Sequence, residues 1–236
     1  MSLFVLSDTH LSLYNDKPMD VFGNRWQSYA EKLDRGWKAV VTDNDTVIIS
    51  GDVSWGISLD EAKLDLQYID SLPGKKIISK GNHDYWWSTA SKINKFFEEN
   101  NITTIKTLHN NAFTVGNVTV CGTRGWYSEG KNAPREADYD KIVAREAGRL
   151  ELSIKEGLKL SEDNEIYVFL HFPPVYKDYV CDEIIEVLHR YNIKKVFYGH
   201  IHGVYNLPAT FEYEDISFSI TSADYLNFVP LLVSRS

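Results

Sequence analysis

The chain has 236 residues, of which 43% are hydrophobic and 25% charged, proportions that are ordinary for a soluble globular protein. They exclude a collagen-like, coiled-coil or disordered chain, and no apolar run approaches the roughly 18 residues that span a bilayer. A folded chain of this size buries about 70% of its surface, so we expect a single domain over residues 1–236. The formal net charge of −8 argues against a nucleic-acid partner.

Cysteine usage and the N-terminal residues indicate the compartment. Cys121 and Cys181 lie far apart and form no CxxC motif, which is typical of free thiols in a reducing compartment. The first residues do not show the basic region, the apolar stretch or the cleavage site that is typical of a signal peptide. We therefore expect a cytoplasmic protein with no membrane partner.

Apolar, β-rich runs alternate with helical periodicity along the chain. The predicted strands span 3–7, 46–50, 75–79, 102–106, 112–124, 165–171, 194–198 and 211–222. Apolar residues spaced by three and four predict helices within 26–40, 59–69, 143–158 and 180–191. Gly116-Asn117 and Glu214-Asp215 predict hairpin turns. The early β–α–β spacing predicts a parallel sheet and the hairpins predict antiparallel additions, so we expect a mixed α/β domain of stacked layers.

Potential metal ligands follow five of these strands within a few residues of the strand end. They are Asp8 and His10, Asp52, Asn82 with His83 and Asp84, His171, and His200 with His202. In open α/β sheets, ligands bind beyond the carboxyl ends of the strands, so these five loops can meet in one crevice. Packing of a core does not explain so many polar side chains at the same topological position.

The residue types indicate the metal. Imidazole nitrogens combined with carboxylate oxygens suit manganese, iron or zinc. The absence of thiolates argues against a structural zinc site, and the number of histidines argues against calcium or magnesium. Seven side chains exceed the needs of one ion and indicate two divalent ions that share a carboxylate: Asp8, His10, Asp52, Asn82, His171, His200 and His202. Two such ions with two aspartates leave a charge of roughly +2, which attracts a phosphate oxyanion.

In the order and type of these five motifs the chain resembles the calcineurin-like metallophosphoesterase superfamily. The resemblance implies a four-layer α/β/β/α sandwich of two mixed sheets, with a dinuclear metal site at one rim. It implies that Asp8, His10 and His202 hold one ion, that Asn82, His171 and His200 hold the other, and that Asp52 bridges them. Manganese is the preferred ion, with iron, zinc or nickel as alternatives.

The resemblance also implies the reaction, which is hydrolysis of a phosphate ester by a metal-bound hydroxide. His83 would lie beside the leaving-group oxygen, and Asp84 would orient His83 by a hydrogen bond. Ser54 and Trp55, which follow Asp52 and Val53, depart from the GDxVDRG run of the family's Ser/Thr protein phosphatases, and Asp84 after His83 departs from their GNHE run. The sequence is closer to compact bacterial phosphohydrolases, so we expect a phosphodiesterase rather than a phosphomonoesterase, acting on a small phosphorylated substrate such as a nucleotide.

Two predicted loops, 11–24 and 124–138, border the crevice. Arg124 and Trp126 in the second loop predict a substrate clamp, with the guanidinium for phosphate and the indole ring for a flat group. A solvated loop is the alternative interpretation.

Two other functions stay open at this point. A non-catalytic scaffold or interaction protein on the same fold would need no group such as His83. A nuclease would need a partner surface that the acidic charge does not favour.

Overall fold

The computed structural model describes residues 1–15, 17, 19–127 and 138–235, which form two large mixed β-sheets flanked by helices. The helices are α1 (Tyr29–Val40), α2 (Leu59–Ser71), α3 (Ala90–Glu99), α4 (Tyr139–Leu160) and α5 (Asp182–Arg190). The strands are β1 (Ser2–Val5), β2 (Thr46–Ile49), β3 (Lys75–Ile78), β4 (Ile105–Thr107), β5 (Phe113–Val115), β6 (Val118–Thr123), β7 (Glu165–Leu170), β8 (Val175–Tyr176), β9 (Tyr179–Val180), β10 (Lys195–Tyr198), β11 (Thr210–Tyr213), β12 (Ile216–Ile220) and β13 (Leu231–Arg235). None of the described helices is both long and apolar enough to cross a bilayer.

The strand order confirms parallel sheets with antiparallel additions. The first sheet has the order β13-β1-β2-β3-β4, in which only the edge strand β13 is antiparallel to its neighbour. The second has the order β11-β12-β10-β7-β6-β5, with a parallel centre of four strands and an antiparallel strand at each edge. The predicted hairpin turns lie where expected, and Gly116, Glu214 and Asp215 have the positive φ that tight hairpins require.

Alternate residues of the strands pack against different layers. In β1, Leu3 and Val5 lie between the two sheets, where they share a cluster with Phe169 of β7. Phe4 instead packs in a cluster with Leu33 of α1 and the other helices beside the first sheet. A third cluster joins the second sheet to α4 and α5. The order helix, sheet, sheet, helix confirms the four-layer fold that the family resemblance implies.

The structure adds elements that the periodicity did not predict. The apolar face of α3 consists of Ile93, Phe96 and Phe97, a stripe too short to stand out from a strand or loop. The five-residue strand β13 gains its place by pairing with β1 far away in sequence, which local patterning does not reveal. Cys121 and Cys181 are buried free thiols, as predicted.

Candidate metal centre

The loops that follow β1, β2, β3, β7 and β10 meet at one rim of the two sheets. Backbone hydrogen bonds join them there. The N–H of Asp8 donates to the carbonyl of Gly51 at 3.0 Å, and the N–H of His10 donates to that of Asp52 at 2.9 Å. The N–H of Gly199 donates to the carbonyl of His171 at 3.1 Å. Convergence of the strand ends thus brings the predicted residues from both sheets into one site.

Asp8 lies at the centre of the first group of candidate ligands. Its Oδ1 is 3.6 Å from Nε2 of His202. Nε2 of His10 is 3.3 Å from Nε2 of His202. These three residues each present a ligand atom within 4.8 Å of the others, so they form one candidate set for an ion.

A second group lies on the other side of Asp8. Oδ1 of Asp8 is 3.8 Å from Nδ1 of His171, and Oδ2 of Asp52 is 3.5 Å from Nε2 of His171. Nε2 of His171 is also 2.6 Å from Oδ1 of Asn82. His200 adjoins this group, with its ring centroid 5.2 Å from that of His171, and its backbone N–H donates to the Asp8 carboxylate.

The carboxylate of Asp52 lies between the two groups. Its Oδ2 is 3.6 Å from Nε2 of His10 and 3.5 Å from Nε2 of His171. Two ligand atoms that each lie about 2.1 Å from one ion at tetrahedral or octahedral angles are roughly 3.0–3.4 Å apart. The observed separations are longer than good hydrogen bonds and close to that spacing, so the donor set fits divalent ions.

The protonation state of three of the candidate histidine ligands favours metal binding. Burial lowers the pKa of His10, His171 and His200, so their imidazoles are neutral, which is the form that binds metals. Nδ1 of His171 lies 3.1 Å from the carbonyl oxygen of Ser50. Because that oxygen only accepts, Nδ1 carries the proton and the lone pair of Nε2 faces Asp52 and Asn82.

The backbone at the site is strained. Asp8, His10, Asp52 and His200 have φ between 47° and 68°. This left-handed region costs a non-glycine residue about 1–2 kcal/mol, and such strain clusters at functional sites. Gly81 has a different role, because a Cβ there would collide with the Asp52 carboxylate. The absence of a side chain at Gly81 therefore leaves space for the Asp52 carboxylate.

His83 lies at the edge of the site, half-buried against an aromatic wall. Its backbone N–H donates to Oδ1 of Asp52 at 2.7 Å, and its ring centroid is 4.3 Å from that of Trp55. Burial, together with the nearby positive charge of Lys17, lowers the pKa of His83 to about 4. A neutral His83 can still donate a hydrogen bond through one ring N–H.

The prediction that the Asp84 carboxylate accepts a hydrogen bond from His83 and so orients it is wrong. The Asp84 carboxylate accepts instead from the backbone N–H groups of Asp52, Val53, Ser54 and Gly81, and from Nε1 of Trp86. Nδ1 of His83 is buried and has no partner among the described residues. Asp84 is fully buried beneath the loops that follow β2 and β3. Backbone N–H groups of these loops would lack partners there, so they donate to the Asp84 oxygens. Asp84 therefore positions the loop that carries Asp52.

Asp224 is a residue of the site to which the sequence analysis assigned no role. It is fully buried, and its Oδ1 accepts from Nδ1 of His202 at 2.8 Å. Its Oδ2 accepts from the N–H of Gly203 and the hydroxyl of Tyr205, each at 3.0 Å. Although burial opposes it, hydrogen bonds with Asp224 and Asp8 raise the pKa of His202 to about 10. Asp224 thus fixes the ring so that Nε2 faces Asp8 and His10.

We expect Asp224→Asn to weaken metal binding about 10–100-fold, because the carboxylate both orients His202 and strengthens it as a ligand. Titration of manganese into the metal-free variant measures this effect. Tyr205→Phe is the matched control, since it removes one hydrogen bond from Asp224 without changing its charge. Unchanged metal affinity in a folded Asp224→Asn protein would contradict the role.

Arg124 and Trp126 lie beside the site and contact each other. The Arg124 guanidinium is 4.9 Å from the Trp126 ring centroid, and its backbone carbonyl accepts the N–H of His171. Trp126 is partly buried and its ring packs on Phe172 at 5.4 Å. Residues 128–137 of the predicted loop lie outside the described part of the chain. The substrate clamp stays a prediction.

The first predicted loop contributes to an apolar cavity of about 210 Å³ beside His83. Met19, Phe22, Trp26 and Trp55 line it, together with His10, His83 and His202. The Trp55 ring also stacks on His10, with centroids 5.0 Å apart. We call this the aromatic cavity.

Comparison with known proteins identifies the family of the chain. A family model described as calcineurin-like phosphoesterase matches residues 1–204. The protein TT1561 of Thermus thermophilus is 11% identical, with a TM-score of 0.55 over 94% of this chain and 89% of that chain. A protein of unknown function from Aquifex aeolicus is 14% identical, with a TM-score of 0.49 over 98% and 95% of the two chains. No curated protein matches the chain.

Proposed function

The chain belongs to the calcineurin-like phosphoesterase family, and we propose that it hydrolyses phosphodiesters with two divalent metal ions held at the rim of its sheets. The observation that carries the proposal is the position of Asp52 between two groups of candidate ligands. In this proposal Asp8, His10 and His202 hold one ion, and Asn82, His171 and His200 hold the other. Asp52 contributes to both.

The two ions, when bound, lower the pKa of water towards 7 and neutralise charge on the phosphate. The residues of the chain prepare this site. Oδ1 of Asp52 is held by the N–H of His83, which leaves Oδ2 directed at both ligand groups. Asp224 orients His202 and the Ser50 carbonyl orients His171. A site with fixed ligands needs little reorganisation when substrate binds.

His83 is placed to assist the leaving group. It adjoins Asp52 through its backbone and lines the aromatic cavity with its ring. Since its pKa of about 4 keeps it neutral at pH 7, we assign it a hydrogen bond to the leaving oxygen as charge develops there. The aromatic cavity then receives the departing group, which favours esters of apolar or ring-bearing alcohols.

The test compares bis-p-nitrophenyl phosphate with p-nitrophenyl phosphate. The protein is stripped with a chelator and reloaded with manganese, iron, zinc or nickel. We expect two ions per chain, turnover that depends on them, highest activity with manganese and faster hydrolysis of the diester. A faster monoester reaction would overturn the diester preference. Failure to hydrolyse either ester with two ions bound would overturn the proposal.

A further inference from the structure

A cavity of about 420 Å³ with basic walls opens between the ends of β3, β4 and β6 and the first half of α4. Four basic side chains line it: Lys80, Arg124, Arg145 and Arg149. The rings of His109 and Trp87 also line the cavity. We call it the basic cavity. It differs from the aromatic cavity in position and in chemistry.

The positive charges of the basic cavity are not balanced within the described residues that line it. Glu146 is the one carboxylate among them. It pairs closely with Arg149 at 2.6 Å and more distantly with Arg124 at 3.9 Å. Lys80 and Arg145 form no ion pair with any carboxylate in the described part of the chain. The cavity therefore carries an excess of about three positive charges, in a protein whose net charge is −8.

Arg124 has a donor that the fold leaves unused. Its Nε is buried and has no hydrogen-bond partner among the described residues. Its side chain is 23% exposed, so part of the guanidinium still reaches the cavity. A buried donor without a partner is unfavourable, and an anionic ligand that pairs with the same guanidinium would offset part of that cost. Guanidinium groups bind phosphate oxygens in pairs, and a lysine adds a point charge.

Two short backbone links tie the basic cavity to the metal centre. Lys80 precedes Gly81 and Asn82 in the loop after β3. The backbone carbonyl of Arg124 accepts the N–H groups of His171 and Phe172 at 3.1 and 2.9 Å. Two cationic side chains of the cavity thus come from the segments that position Asn82 and His171. A ligand in the cavity would therefore lie beside the segments that carry two of the candidate metal ligands.

We propose that the basic cavity binds a second phosphate group of the substrate whose ester is cleaved at the metal centre. The inference rests on the proposed function and narrows its substrate to phosphate esters that carry at least one further phosphate. The volume of 420 Å³ accommodates a phosphate or diphosphate together with part of the group that bears it. The partly buried ring of Trp87 offers this group a flat apolar face.

Binding is tested first without catalysis. Inorganic pyrophosphate is titrated into the metal-free full chain by calorimetry. We expect saturable binding that Arg145→Ala weakens about 10-fold or more, since a charge-assisted hydrogen bond contributes about 1.5–3 kcal/mol. Arg145 is exposed on α4, so its removal leaves the core intact. Arg190→Ala on α5 is the matched control, because Arg190 is an exposed arginine outside the cavity. Absence of binding, or equal binding to both variants, overturns the proposal.

The source of the phosphate is tested on the metal-loaded enzyme. The matched substrates are thymidine 5′-(p-nitrophenyl phosphate) and the same compound with a 3′-phosphate. We expect the 3′-phosphate to raise kcat/KM about 10-fold, mostly through KM, and Arg145→Ala to abolish this advantage. If pyrophosphate binds but the 3′-phosphate gives no advantage, the site serves a separate anion and its assignment to the substrate is overturned. If neither ester is hydrolysed while pyrophosphate binding depends on Arg145, the proposed function fails and the anion site stands.

Discussion

Replacement of Asp52 by asparagine is expected to remove at least one metal ion and to lower kcat/KM by about 10³-fold or more. Oδ2 of Asp52 lies 3.6 Å from His10 and 3.5 Å from His171, one residue from each ligand group. Asparagine keeps the size of the side chain but removes its negative charge. An amide NH₂ directed at either metal ion would repel that ion. The two divalent ions would also lose the negative charge that lies between them.

Metal content by mass spectrometry and turnover of bis-p-nitrophenyl phosphate are measured on the same samples. Asp45→Asn is the matched control. Asp45 is also a buried aspartate of the β2 region, but it accepts hydrogen bonds from Thr42 and Ser2 at the opposite end of the strand. That variant should lose stability while it keeps both ions. Two bound ions and normal turnover in Asp52→Asn would refute a bridging carboxylate.

The sequence predicts those residues of the site that directly follow a recognisable strand. Short apolar runs that end in a ligand residue, as at Asp8, Asp52 and His171, place each side chain at the carboxyl end of a strand. Parallel pairing then brings such ends to one edge within each sheet, and the packing of the two sheets brings the two edges together at one rim. Hence the convergence was predictable, although no residue indicates by itself which others it will meet.

The missed contacts depend on pairings that the sequence does not reveal. The sequence pattern predicted β12 as the second strand of a hairpin, and no function was assigned to the residues that follow it. In the fold β12 also pairs in parallel with β10, so its carboxyl end lies at the metal rim and delivers Asp224 to His202. The apolar run Ile216, Phe218 and Ile220 before Asp224 was the available signal. The role predicted for Asp84 was wrong because the sequence motif shows only that Asp84 is next to His83 in the chain. It does not show the five hydrogen-bond donors that surround the Asp84 carboxylate in the fold.

His83→Ala is expected to retain both ions and to slow turnover about 10²–10⁴-fold with a poor leaving group. The His83 side chain is outside both candidate ligand groups, although its backbone N–H holds Asp52. Alanine keeps that N–H and removes only the ring beside the aromatic cavity. Because nitrophenolate is stable without assistance, the defect should shrink for p-nitrophenyl esters and grow for the corresponding phenyl esters. Rates for a series of phenyl esters of rising leaving-group pKa measure the effect.

Two variants make the result for His83 specific. His83→Gln keeps an N–H donor on a side chain of similar length, so it should recover part of the rate with poor leaving groups. His189→Ala removes an exposed histidine of α5 that pairs with Glu214 in the turn between β11 and β12, and it should behave as the wild type. An equal loss with good and poor leaving groups, with both ions retained, would contradict assistance to the leaving group. The ring would then act by packing on Trp55 and shaping the cavity, and a change in KM with every ester would be its signature.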